Sequence, residues 1–133
     1  MKFLAFSALL AGAAQAQDFG FNNDIPVGAV YKIGTDFVLT WGPQTRTDTF
    51  NLTVSSGLAN PIVVDPHGGP YGSPIYDFKG KTIVLNGHVK FTDQKYTWKV
   101  APIDGRQGDD WYYSFDAAWE NEATSPRSFM IST

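Results

Sequence analysis

Histidine occurs twice, at His67 and His88, and cysteine does not occur. Catalysis needs a nucleophile, a base and a charge stabiliser within reach of one another. Without cysteine, thiol nucleophiles and zinc–thiolate sites are excluded. His67 lies in Asp65-Pro66-His67-Gly68-Gly69. Asp65 is placed to orient an imidazole there, although the same residues suit a surface loop without chemistry. His88 falls in a strand-like run whose Val89 and Phe91 take the opposite face, so it reads as a solvent-facing residue. Paired carboxylates would serve glycoside hydrolysis. Asp116 and Glu120 stand near the end of an aromatic run, whereas Asp109-Asp110 follow a Gly-containing stretch and read as a solvated turn. Asp93, Asp104, Asp109 and Asp110 offer oxygens to calcium but lack the spacing of a helix–loop–helix calcium loop. A copper enzyme that cleaves polysaccharides oxidatively would need a histidine where the mature chain is expected to begin with Gln17. The expectation is a non-enzymatic chain with no catalytic residue, metal site or cofactor.

Binding chemistry is better represented. Tyr71 and Tyr76 flank a Gly/Pro-rich stretch. Tyr112 is out of phase with the apolar residues around it, and Trp119 stands at the end of a strand-like run. Exposed rings of this kind stack on sugars. With Asp65 and His67 beside the first two, these six residues are the candidate glycan contacts. Asn51-Leu52-Thr53 is the one N-x-S/T sequon, a glycosylation acceptor on the secretory route.

That route is written at the N-terminus. Lys2 precedes an apolar run over residues 3–14, and Ala14-Gln15-Ala16 has the form of a signal-peptidase site. The run of about a dozen residues is too short for the ~20 needed to span a bilayer. A signal peptide is therefore expected over residues 1–16 and a single secreted domain over 17–133, of ordinary domain size. No later run reaches membrane length, and the last residues carry no hydrophobic tail of the kind that directs a glycolipid anchor. The domain is expected outside the cell, secreted or retained in a wall. The net charge of −3, without basic clusters, argues against nucleic-acid partners. Small secreted domains often rely on disulfides. Here an apolar core must suffice, and aromatic residues at 15% supply large buried areas.

The elements that position these residues are strands. Residues 27–32 and 35–41 are β-rich, and Phe37, Leu39 and Trp41 share a face. Residues 48–54 alternate strictly, with Phe50, Leu52 and Val54 opposite Thr49, Asn51 and Thr53. Ser55-Ser56-Gly57 then reads as a turn. Residues 61–64 start on Pro61 and suit an edge strand. Residues 65–74 hold three Gly and three Pro and read as a loop. Residues 81–85 and 88–92 are two strands joined by an Asn86-Gly87 hairpin, or one bent strand. Residues 95–100, 111–117 and 128–132 follow, with Tyr96, Trp98, Trp111, Tyr113, Phe115, Phe129 and Ile131 directed inward. Residues 117–123 form a helical turn or a loop. About seven to nine short strands argue an all-β sandwich or barrel.

Several of these segments together resemble the secreted fungal cell-wall family whose yeast members are needed for β-1,6-glucan assembly. The resemblance is carried by Gly34-Thr35-Asp36-Phe37-Val38-Leu39-Thr40-Trp41, by residues 50–57, by Tyr96-Thr97-Trp98-Lys99-Val100 with Pro102, by residues 111–115, and by Ser125 or Ser128 with Phe129 and Ile131. It covers residues 26–132. It implies an immunoglobulin- or fibronectin-III-like β-sandwich and a role in wall organisation, with cell-wall polysaccharide or a wall glycoprotein as partner. It supplies no catalytic residues. The family's Ser/Thr-rich stalk and anchor have no counterpart here, and the segment 65–80 is longer and richer in Gly and Pro than the family's pattern. A small secreted interaction protein on the same scaffold is the alternative.

The secreted protein is expected to begin at Gln17. Intact-mass measurement of the culture-medium form checks this, and retention of residues 1–16 would refute it.

Overall fold

The computed structural model describes residues 19–133, so the signal peptide expected over 1–16 lies outside the described residues. Ten strands are formed among the described residues: β1 (Val30–Lys32), β2 (Asp36–Thr40), β3 (Thr49–Leu58), β4 (Ile62–Asp65), β5 (Ile75–Asp77), β6 (Lys81–Lys90), β7 (Lys95–Lys99), β8 (Trp111–Trp119), β9 (Glu122–Thr124) and β10 (Met130–Ser132). The architecture is all-β, with several sheets that do not close into a barrel. One sheet has four strands in the order β9-β8-β3-β6. Three two-stranded pairs accompany it: antiparallel β2–β7, parallel β1–β10 and antiparallel β4–β5.

The period-two pattern decides which face of the large sheet is apolar. On β3, Phe50, Leu52 and Val54 are buried, whereas Thr49, Asn51, Thr53 and Ser55 point to the other face and are half-buried. On β8, Tyr113, Phe115, Ala117 and Trp119 are buried, and Tyr112, Ser114, Asp116 and Ala118 point outward. The β2–β7 pair covers the apolar face. Its Phe37 and Trp98 rings lie 5.3 and 5.2 Å from Phe115. Phe129, bridged to Tyr113 just before β10, stacks on Phe37 at 5.6 Å.

A second aromatic group fills the other end of the core. Phe19 lies 5.0 to 5.8 Å from the rings of Trp41, Phe50, Phe91 and Trp119. The Trp41 indole donates to the Phe91 carbonyl at 2.7 Å, so its one polar atom is satisfied inside. Asn23 covers the open edge of β2. Its side-chain amide donates to Val38 O, and its carbonyl accepts the Thr40 N–H.

Two local readings are corrected, at residues 55–57 and 117–123, and two others are made definite. Ser55-Ser56-Gly57 does not turn the chain. It continues β3, because partners on both sides, Ser114 to Tyr112 and Lys81 to Thr82, take up its backbone groups. Of the two alternatives for residues 81–92, a single strand forms: Asn86-Gly87 sits inside the continuous β6, beside a register shift opposite Leu52. The Gly/Pro-rich stretch read as a loop over residues 65–74 links β4, which ends on Asp65, to β5, which begins at Ile75 and returns to pair with β4. The 117–123 segment finishes β8, turns at Glu120 with φ 51, and forms β9. These changes give ten strands in place of seven to nine. Trp111, expected in the core, is half-buried, with the Arg106 guanidinium 4.3 Å above its ring.

Trp98 is 6% exposed and touches three other rings. Trp98→Ala is expected to cost about 3–5 kcal/mol. Denaturant titration checks this, and a loss below about 1 kcal/mol would place Trp98 outside the cooperative core.

Candidate functional site

The outer face of the four-stranded sheet is mostly uncharged and polar. Thr49, Asn51, Thr53 and Ser55 run along β3, with Ser114 and Asp116 on the neighbouring β8. The Ser55 and Thr82 hydroxyls are 2.7 Å apart, and Ser125 donates to the Asp116 carboxylate at 2.7 Å. At one end of this row β3 presents Gly57, directly opposite Tyr112. The Tyr112 ring lies over it. A Cβ built on Gly57 would sit 2.8 Å from the Tyr112 hydroxyl and 2.9 Å from its ring. Gly57 is not among the positive-φ glycines, so what the position requires is space rather than backbone freedom. The missing side chain lets an aromatic ring lie down across the sheet next to a row of hydroxyls.

The next residue, Leu58, donates its N–H to Phe78 O at 2.7 Å. There the paired ribbon of β3 and β6 gives way to the β4–β5 hairpin. The hairpin is an arm. Ile62, Val63, Val64 and Asp65 of β4 are all exposed, as are Ile75 and Tyr76 of β5. At its tip, Asp65 accepts the His67 backbone N–H at 3.0 Å. The carboxylate thus shapes the turn, and it is the Gly72 carbonyl that lies 3.4 Å from the imidazole Nδ1. Tyr71 is wholly exposed, in a 3-10 turn, with φ 55. Tyr76 is 46% exposed, and its ring is 6.3 Å from Phe78 at 55°, so the two rings do not form one flat platform. At the root, the Asp77 carboxyl is held below its ordinary value by the Lys79 backbone N–H, then by the Lys79 side chain. The support it lends is present at neutral pH and is lost when acid protonates it through that lowered value.

The six candidate contacts therefore fall in three places. Asp65, His67, Tyr71 and Tyr76 share the arm, and Tyr112 lies on the sheet near its root. Trp119 is corrected. It is 9% exposed, enclosed by Phe19 and Phe91, with the Arg46 guanidinium 5.9 Å from its ring. Its place on β8 has the same parity as Tyr113 and Phe115, and the strand reaches far enough to bury it. Asn51, expected to be exposed, is half-buried on the outer face, in a strand paired on both sides. A glycan on Asn51 would cover the same face that carries Tyr112.

The carboxylates singled out for catalysis are engaged separately. Asp116 accepts from Ser125, and Glu120 lies 3.4 Å from Arg46. Arg46 is itself bidentate on Asp48, whose carboxyl it holds below the ordinary value. His88 is exposed on β6. Among the described residues no three His, Cys, Asp or Glu side chains are grouped to hold a metal ion, and no helix is long and apolar enough to cross a membrane. Comparison of the chain with family models, with curated proteins and with solved structures gives no match.

A left-handed conformation costs a non-glycine residue roughly 1–2 kcal/mol. Tyr71 bears this while its ring touches solvent alone, so Tyr71→Gly is expected to leave the thermal midpoint unchanged or slightly raised. Calorimetry checks it. A clear fall would show that the ring holds the loop together.

Proposed function

We propose that the chain is a secreted, non-catalytic binding domain of the fungal cell wall. In this reading it helps organise β-glucan by holding wall polysaccharide, free or on a wall glycoprotein, against the outer face of the four-stranded sheet. The reading rests on the Tyr112 ring laid across Gly57 beside an uncharged row of hydroxyls. Sugars present apolar C–H faces and rings of hydroxyls together. An aromatic face next to Ser and Thr oxygens offers both a stacking surface and partners that donate and accept. The finer fold reading, an immunoglobulin- or fibronectin-III-like sandwich, is supported by the resemblance and by Tyr113. Its hydroxyl accepts from Ile103 N at 2.8 Å and donates to Arg106 O at 2.6 Å. A tyrosine tied back to the backbone just upstream is a recurrent device of such sandwiches.

The interaction-protein alternative has its own observation. The arm mixes its aromatic rings with Ile62, Val63 and Val64, which offer a sugar neither a ring face nor a hydrogen bond.

Retention on insoluble β-glucan, with chitin and mannan as comparators, tests the first reading. Tyr112→Ala should weaken retention about tenfold, equivalent to ~1.4 kcal/mol for one stacking contact. Gly57→Ala keeps the ring but pushes it off the sheet, so it should weaken binding similarly with little change in stability. A protein retained by none of the three polysaccharides, or retained equally after both substitutions, would overturn the reading.

A further inference from the structure

We propose that Asn86-Gly87 is a self-modifying site, at which the folded chain loses ammonia through a cyclic imide and converts Asn86 to aspartate and isoaspartate. The chemistry belongs to the dipeptide. The Gly87 nitrogen gives up its proton and attacks the Asn86 side-chain carbonyl carbon. A C–N bond forms, the side-chain nitrogen leaves with that proton as ammonia, and a five-membered imide remains. Water then opens the imide at either carbonyl. One opening gives aspartate. The other gives isoaspartate, in which the main chain runs through the former side-chain carbon.

Asn86 is the one asparagine of the chain that is followed by glycine. With no Cβ, glycine leaves the attacking nitrogen uncrowded. A regular strand would still oppose the reaction, because closing the imide requires the backbone at Asn86 to leave the extended form. Three features of β6 remove that obstacle.

The first is access. β6 is the outer strand of the four-stranded sheet, and Asn86, Gly87 and His88 are all exposed. Water reaches the imide, and ammonia departs freely.

The second is a loosened ladder. Thr53 pairs with Val84 and Leu52 with Asn86, so Leu85 has no residue opposite it. The next pair is Phe50 with Val89, so Gly87 and His88 together face Asn51. Extra residues of this kind disrupt the local ladder and bend the strand. Asn86 thus has an irregularity on each side.

The third is a hydrogen bond. The Asn86 side-chain oxygen accepts the His88 backbone N–H at 2.8 Å. This closes a turn-like ring that contains both the carbon under attack and the Gly87 nitrogen. The same oxygen gains negative charge as the nitrogen adds. A backbone N–H already aimed at it stabilises that charge, as the donors of an oxyanion hole do.

Packing does not explain the glycine. Gly87 is not among the positive-φ residues, and a Cβ there would meet only the Asn51 side-chain oxygen, at 3.7 Å. Each conversion adds one negative charge to a chain of net −3, and the isoaspartyl form adds a carbon to the backbone of β6. No enzyme takes part, so the modified fraction records the age of the protein. The inference is independent of the sheet-face reading.

Peptide mapping by mass spectrometry, after incubation of the folded protein in neutral buffer, tests the proposal. Asn86 should convert to both isomers at least as fast as in the same chain unfolded in guanidinium chloride. Gly87→Ala should slow conversion in the folded protein about tenfold, equivalent to ~1.4 kcal/mol on the barrier, with an unchanged thermal midpoint. If that variant loses stability, the comparison of folded with unfolded wild type decides alone. Conversion that is slower in the folded chain, or absent from it, overturns the proposal, because the strand then protects the site. Aspartate formed without isoaspartate, or an unchanged rate in a folded Gly87→Ala, also overturns it, because the amide is then hydrolysed directly.

Discussion

The interlocking of Phe37, Trp98, Phe115 and Phe129 is the interaction on which this domain depends. With no cysteine in the chain, nothing covalent ties its layers together. The β2–β7 pair is held to the large sheet by rings 5.2 to 5.6 Å apart, in tilted, edge-on and stacked arrangements. Each such ring removes a large apolar area from water, and ring pairs add a further directional contribution. Phe19, Trp41, Phe50, Phe91 and Trp119 do the same at the other end of the core. The aromatic content of the chain is thus the counterpart of its missing disulfides.

That concentration of rings on one face leaves the other face of the sheet free to be polar. The alternation is sharp at residues 112 and 113. Tyr113 is fully buried and uses its hydroxyl to tie down the loop before β8, whereas Tyr112 turns outward and lies over Gly57. Two adjacent tyrosines therefore take opposite roles, one holding the core and one available at the surface, because successive strand side chains leave the sheet on opposite sides. Arg106 joins the two regions. Its guanidinium covers Trp111 and donates to the Ser56 carbonyl at 3.1 Å, while its own carbonyl accepts from Tyr113.

The arm follows from the length of β3. That strand pairs with β6 as far as Ser56 and with β8 as far as Leu58, and the chain then runs past the end of the core before it turns back. Ile62, Val63, Val64 and Ile75 are as apolar as the residues of any buried strand. They are exposed because the core ends before the ribbon does. The same chemistry that buries Val54 of β3 leaves Val64 of β4 in water.

Much of this was legible in the residues alone. Strict alternation over residues 48–54 and 111–117 placed Phe50, Leu52, Tyr113 and Phe115 inside and Tyr112 outside, because a strand has a period of two whatever it packs against. The sequence also disclosed the absence of cysteine and the Gly/Pro-rich tip at residues 65–74. Pairing was not legible. Ser55-Ser56-Gly57 and Asn86-Gly87 have the local chemistry of turns, yet each lies inside a strand, because neighbours far along the chain offer it hydrogen bonds that a turn would forgo. Trp119 shows the same limit at the candidate site. Its parity pointed inward, but whether β8 reaches far enough to bury it depends on Phe19, Phe91 and Arg46, contributed by three other segments. Which side a residue faces is a local property of the strand. What covers that side is decided by contacts between distant parts of the chain, and tertiary structure alone sets those.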